Sequence, residues 1–325
     1  MQVGNDGTAA GEWYSSLARS VDGTGGIESL GNGYSALTSR QSHTLLVTFE
    51  SVDKILAHRP EQTPLAAALA DESGMSFLTL LSERRAWYRD PVVYAYFDRL
   101  IDEGYFDTFD RVVFYGAGMC GYAAAAYSVA APGATVIAVN PVATLDPSVT
   151  GWDRRYFRYR RLNFTTRYGY GPEMIEAAAQ AFVLFDPYRR PDAMHAALYT
   201  NRHVHMLRCR HLGKTLETDL AAMGILDEVL DAACEGQLTP QIFHRLYRAR
   251  RGHAPYYDRL RAQLEAEDRP YLTALLSRVA AAKFGQPADR ERFDELEELL
   301  LRQGRSLPGT PAGAKARDAR GQGRS

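Results

Sequence analysis

The segment from 111 to 147, RVVFYGAGMCGYAAAAYSVAAPGATVIAVNPVATLDP, restricts the fold of this chain more than any other. Val112 to Tyr115 is a short apolar, β-prone run suited to a strand buried on both faces. Gly116, Gly118 and Gly121 follow at once, and the alanine-rich run 122–131 reads as a helix. Pro132-Gly133 stops it, and 135–140 supplies a second apolar strand. This is a βαβ unit, which implies a parallel sheet with a crossover helix. Chemistry is expected at the turn, because helix N–H groups point outward there beside the carboxyl end of a strand.

Strand and helix signals alternate on both sides. Residues 34–38 and 44–50 are β-prone around a polar turn and predict a hairpin; 65–71 predicts a helix, 75–81 a strand and 92–104 a helix. After the central unit come a helix over 172–180, a strand over 181–185, a helix over 192–199 and a strand over 204–210. Everything beyond is helical: 214–234, 239–250, 255–267, 269–284 and 289–303. The expected organisation is a flexible N-terminus (1–33), an α/β domain with a mostly parallel sheet (34–235), a helical extension (236–303) and a disordered basic tail (304–325). Within the α/β domain, 151–180 is expected to be a lid or insertion.

The glycine turn supports two readings. As G-x-G-x-x-G it fits a dinucleotide fingerprint, and hence an oxidoreductase, but that motif wants an acid at the end of the second strand, where Asn140-Pro141 stands. As Tyr115-Gly116-x-x-Met119-x-Gly121-Tyr122-Ala123-Ala124, it resembles the Y-G-S-S-M-G-G-Y-A-A nucleophile elbow of some bacterial α/β-hydrolase-like proteins. The resemblance covers about 34–220. It implies a sheet of α/β-hydrolase type, with an N-terminal hairpin, an elbow in mid-chain, an acid after a later strand and a histidine after the last. In that alignment Gly118 replaces the nucleophilic serine, and Asp186 and His211 fall at the acid and base positions. The chain also resembles a proteobacterial family often labelled phosphoadenosine phosphosulfate reductase. That enzyme's own motifs, a loop ending in Asp-Ser and a C-terminal Glu-Cys-Gly-x-His, do not occur here.

Candidate site residues follow from these readings. Cys120, in the first helical turn, is the candidate nucleophile in an active hydrolase or acyltransferase, with a water activated by His211 as the alternative. The alternative for Cys120 is a small apolar residue packed under the helix. Asp192 and His195 are a second acid and base pair, although such an i,i+3 pair is commonly a surface contact. Backbone donors at Gly116, Gly118 and Met119, and near Glu50, would form an anion pocket. Residues 151–171 hold six arginines among seven aromatics, and Arg154, Arg155 and Arg158 would present guanidinium forks to an acidic or acyl small molecule.

Composition limits the partners. A formal net charge of −1 gives no general pull toward nucleic acid or membrane, and no apolar run approaches spanning length. Three widely spaced cysteines make neither a disulfide framework nor a metal site, so no metal or cofactor is expected and a cytoplasmic location is. Apolar positions in the helical extension (Leu260, Leu264, Leu272, Leu275, Leu276, Val279) suggest a subdomain or a homodimer contact.

Overall fold

The computed structural model describes residues 6–21 and 23–308, which divide into two compact units, one ending at Tyr247 and one beginning at Arg248. The first unit is built on eight strands: β1 (Gly25–Gly31), β2 (Tyr34–Ser39), β3 (Thr44–Ser51), β4 (Ser76–Ser82), β5 (Arg111–Ala117), β6 (Thr135–Val139), β7 (Gln180–Phe185) and β8 (Val204–Arg208). They form one sheet in the order β1-β2-β4-β3-β5-β6-β7-β8. β2 runs antiparallel to β1 and β4, and every pairing from β4 to β8 is parallel. This strand order, with one antiparallel excursion and a central elbow, is that of the α/β hydrolases. The doubly wound nucleotide-binding order, 3-2-1-4-5-6, is different, and the dinucleotide reading loses its scaffold.

Eleven helices belong to this unit: α1 (Asp6–Ser20), α2 (Val52–His58), α3 (Leu65–Ser73), α4 (Pro91–Asp102), α5 (Met119–Tyr127), α6 (Pro147–Thr150), α7 (Gly171–Met174), α8 (Arg190–Ala196), α9 (Leu216–Ala222), α10 (Ile225–Cys234) and α11 (Pro240–Leu246). Alternate strand residues such as Leu45, Val47 and Phe49, then Val112 and Phe114, join α4 and α5 in one apolar cluster. α3 and α10 pack on the same strands from outside that cluster. α5 is buried on all sides, with Tyr122 through Tyr127 inaccessible to solvent. Four consecutive alanines let this helix approach the sheet closely, while its two tyrosines fill the space at either end.

Several expectations need correction. The N-terminus expected to be flexible carries α1 and β1, with Trp13, Leu17 and Val21 buried. The hairpin is β1–β2, turning at Asn32-Gly33 with positive φ at both residues, a strong two-residue turn signal. β2 and β3 do not pair, because β4 lies between them. Their connection is pinned to the start of β4, where Ser76 Oγ accepts the N–H groups of Gln41 and Ser42. The expected helix over 214–234 breaks at Gly224, which adopts φ 67°. The first unit extends to Tyr247, beyond the expected boundary at 235.

The second unit contains α12 (Ala254–Ala266), α13 (Pro270–Phe284) and α14 (Pro287–Arg302). Ala274, Leu296, Leu300 and Leu307 form its core, so the chain past Gly304 has an apolar anchor; 309–325 lie outside the described residues. α13 buries the small face Thr273, Ala274, Ser277 and Ala280, while Leu272 and Val279 stay exposed. No helix among the described residues is long and apolar enough to cross a membrane.

The elbow depends on close backbone approach. A Cβ at Gly116 would sit 2.1 Å from the Cys120 carbonyl oxygen, which cannot move without shifting α5. Gly116→Ala should therefore cost about 3 kcal/mol or more in urea unfolding. Gly133→Ala, at a positive φ but with nothing within 4 Å, should cost only about 1–2 kcal/mol. Equal losses would mean that the close approach does not control stability.

Candidate functional site

The elbow is built as the sequence reading expects, up to the missing side chain. β5 ends at Ala117 and α5 begins at Met119, leaving Gly118 at the corner with φ 64° and ψ −116°. Its N–H donates to the Val139 carbonyl at 2.8 Å, fastening the turn to β6, and its carbonyl accepts the Tyr122 N–H at 3.0 Å. A side chain at 118 would be strained by the positive φ but would meet nothing within 4 Å. A serine there would project into open space, which glycine leaves empty of protein atoms.

Above the corner lies a cavity of about 280 Å³, with Gly118, Met119 and Cys120 on its floor. Apart from Arg155, Tyr156 and Tyr159, its wall comes from the chain just after strands' carboxyl ends: Lys54 after β3, Arg85 and Trp87 after β4, Asn140 after β6, Arg189 and Asp192 after β7, Lys214 and Glu217 after β8. A sheet of this kind gathers ligand-binding groups along that edge. A second compartment of about 440 Å³ shares Lys54, Arg85, Cys120, Lys214 and Glu217 with the first. It continues past the Lys54–Glu217 ion pair (3.6 Å) toward Phe49, Ile55 and Leu226. Glu217 also accepts the Tyr115 hydroxyl at 2.9 Å and lies 3.8 Å from Arg59.

The segment expected as a lid or insertion contributes Arg155, Tyr156 and Tyr159 to the cavity wall, and its arginines have separate tasks. Arg155 reaches the cavity, where it pairs with Asp153 (2.8 Å) and with Asp192. Arg160 donates to the carbonyls of Thr150, Gly151 and Asp153, and Arg167 pairs with Asp98 at 2.8 Å. Arg154 and Arg158 are exposed and lie off the cavity wall. Arg89, from the chain before α4, holds the lid from beneath through Asn163 O (2.7 Å) and Arg167 O (2.6 Å). Tyr156, Tyr159 and Phe164 surround Trp87, the nearest ring centroid at 4.8 Å.

Asp192 and His195, expected as a surface pair, are both buried and belong to a network that ties the lid to α8. His195 Nδ1 accepts the Ala143 N–H at 3.2 Å, so the ring carries its proton on Nε2 and donates to Asp153 at 3.0 Å. Both ring nitrogens are thereby engaged. Burial pushes the Asp153 carboxyl upward, but hydrogen bonds from His195 and Arg155 overcome this and hold it well below the usual carboxylate range.

The other expected residues fall as follows. Asp186 is buried at the end of β7, where its carboxylate accepts the N–H groups of Tyr188 (3.0 Å) and Gly213 (2.7 Å). His211 stacks on Tyr188 with centroids 4.6 Å apart. Neither lines the elbow cavity. The Glu50 carboxylate receives the Leu65 N–H at the start of α3, at 3.0 and 3.1 Å, with burial raising its pKa; it belongs to the second compartment. Gly116 lies under the turn, where it permits the close approach, and is not on the wall. Cys120 is buried, and burial pushes its thiol up to about 11. Tyr88 Oη lies 3.5 Å from Cys120 Sγ and 3.0 Å from the Glu50 carbonyl, which accepts its proton. Among the described residues no group of three or more His, Cys, Asp or Glu could hold a metal ion.

Sequence reasoning missed Lys54, Arg85, Trp87, Arg189 and Lys214. The available signal was the set of basic and aromatic residues within a few positions of each parallel strand's end.

No family model matches the chain, and no curated protein sequence matches it. Among solved structures, carboxyl esterase 2 from Tuber melanosporum is similar at 15% identity and TM-score 0.40, covering 70% of this chain and 87% of that one. An esterase from Pyrobaculum calidifontis is similar at 16% identity and TM-score 0.38, covering 75% and 93%. The capsule O-acetyltransferase of Neisseria meningitidis serogroup A is similar at 12% identity and TM-score 0.39, covering 61% and 92%. The fold assignment rests on the strand order and elbow described above.

Two measurements follow from this geometry. Iodoacetamide should leave Cys120 of the native protein essentially unmodified at pH 7–8 and label it only as pH approaches about 11, read by peptide mass spectrometry. Rapid labelling at pH 7 would reveal a thiolate. For Asp153, a folded pKa below its ordinary 3.8 gives stability that is present above that pH and is lost as pH falls toward the folded value. Asp153→Asn should cost about 1–3 kcal/mol at pH 7, with the difference from wild type shrinking between pH 4 and 2.5 in urea unfolding. A difference independent of pH would contradict the pairing.

Proposed function

We propose that this α/β-hydrolase-like protein binds an acidic or acyl small molecule at its elbow and does not turn it over through an elbow nucleophile. One observation carries the reading: the corner residue has the elbow's strained backbone and no side chain, beneath a wall rich in cations. The attacking atom of a serine hydrolase is absent, while the main-chain donors at the start of α5 remain, since loss of a side chain does not remove them. Cys120 gives no ready substitute, because a thiol raised to about 11 stays protonated at neutral pH. Asp186 is committed to two backbone N–H groups, and the wall lacks both it and His211. The second compartment gives room for the organic part of a ligand.

The test combines turnover with binding. Wild type should hydrolyse p-nitrophenyl acetate and butyrate no faster than Cys120→Ala, and native mass spectrometry should show an acidic or acyl adduct that Lys214→Glu loses. Gly118→Ser should fold at a cost of about 1–2 kcal/mol for its positive φ and remain without an acyl-enzyme burst. Steady turnover by wild type that Cys120→Ala abolishes would overturn the reading. So would a Gly118→Ser burst that His211→Ala removes, since a poised base would then be present.

A further inference from the structure

We infer that the ligand's acidic group is a phosphate monoester, a tetrahedral dianion seated over Gly118 and recognised by Lys214 and Arg85. This rests on the binding reading above and names its ligand class. Three observations lead to it, the first being space. With no Cβ at 118 and nothing within 4 Å of where one would stand, a group of several oxygens can approach the opening N–H groups of α5, a helix of nine residues.

The second observation is charge. The wall carries five cations, Lys54, Arg85, Arg155, Arg189 and Lys214, against three carboxylates, Asp53, Asp192 and Glu217. Arg155 and Arg189 pair with Asp192, and Lys54 with Glu217. Arg85 and Lys214 have no carboxylate within ion-pair distance among the described residues. Asp53 has no ion-pair partner among the described residues either, but five cations against three carboxylates leave the wall two net positive charges, which match the charge of a phosphate monoester, about −1.5 to −2 at pH 7. A carboxylate or a sulfate ester brings one charge and would leave a cation unanswered.

The third observation is an orphaned donor. Trp87 lies on the wall, is 1% exposed, and its indole Nε1–H has no acceptor in the protein. Indole nitrogen can only donate, and a buried donor without a partner is costly, so an acceptor from outside the chain would relieve it once a neighbouring ring such as Tyr156 or Tyr159 gives way. Asn140 Oδ1 on the same wall is also unpartnered. It is an acceptor, which a phosphate dianion would not satisfy but a hydroxyl on the ester's organic part would. The second compartment, open past Lys54 and Glu217, takes that organic part. Phosphate forks suit Arg and point-charge contacts suit Lys, and the wall supplies one of each with no carboxylate within ion-pair distance.

Isothermal titration calorimetry of the full chain at constant ionic strength tests this with four probes: phenyl phosphate, inorganic phosphate, sulfate and benzoate. Phenyl phosphate should bind tightest. Its affinity should fall about tenfold per pH unit below about pH 6, where the dianion takes up a proton; sulfate and benzoate should show no such step. Lys214→Met and Arg85→Met should each weaken phenyl phosphate about tenfold or more while leaving thermal unfolding unchanged, since both side chains are exposed. Benzoate binding as tightly as phenyl phosphate, with a flat pH profile, would overturn the phosphoryl assignment and leave the binding reading standing. Failure of all four probes would overturn both. Phosphate binding that neither variant weakens would move the anion to another site and overturn the assignment.

Discussion

Everything in the first unit hangs on how closely α5 can approach β5 and β6. The turn allows no Cβ at Gly116, where the Cys120 carbonyl would lie 2.1 Å away, and barely one at Gly121, 3.0 Å from two carbonyl oxygens. Gly118 turns the corner at a φ that other residues adopt only under strain. These three positions set the helix against the strands, and four consecutive alanines keep it there. Tyr122 and Tyr127 then define what can cover the helix: their hydroxyls donate to the carbonyls of Tyr168 and Tyr88, which tether the lid and the segment before α4. The position of the cavity follows from the position of the helix.

The lid is held by two sets of contacts of different character. Arg89, 6% exposed, satisfies lid carbonyls that would otherwise be buried without donors. The network of Asp153, Arg155, Asp192, Arg189 and His195 fixes the other end by paired charges. Buried pairs of this kind add little net stability, because desolvation offsets attraction, yet removing one partner strands the other at a cost of several kcal/mol. They therefore set where the lid lies more than how stable it is. Arg155 and Arg189 are consequently occupied by protein carboxylates, while Arg85 and Lys214 on the same wall have none within ion-pair distance among the described residues.

The corner of the elbow is thus strained and carries glycine. Hydrolytic chemistry of this type needs an attacking atom, a base in reach and a third group orienting that base. The structure offers a corner without a side chain, an acid bound to two backbone amides and a thiol kept neutral by burial. The cavity above the corner carries five cations against three carboxylates.

From the sequence alone, the central βαβ unit, the elbow and the parallel sheet were legible, because the glycine spacing and strand-length apolar runs are written in consecutive residues. The arginine-rich composition of 151–171 was legible as well. The pairing of β2 was not: β4, some forty residues later, comes between β2 and β3, and nothing in the local pattern shows such an insertion. The roles of the six lid arginines were equally hidden, since their partners Asp192, Asp98 and the carbonyls after α6 are chosen by the folded path. Lys54, Arg85, Arg189 and Lys214 lie as much as 160 positions apart along the chain and meet only because four parallel strands end on one edge. The sequence by itself determined the elbow and the glycine at its corner, both being properties of single residues. The charge of the cavity was decided by tertiary structure, because it depends on which side chains the sheet brings together and which of them already have partners.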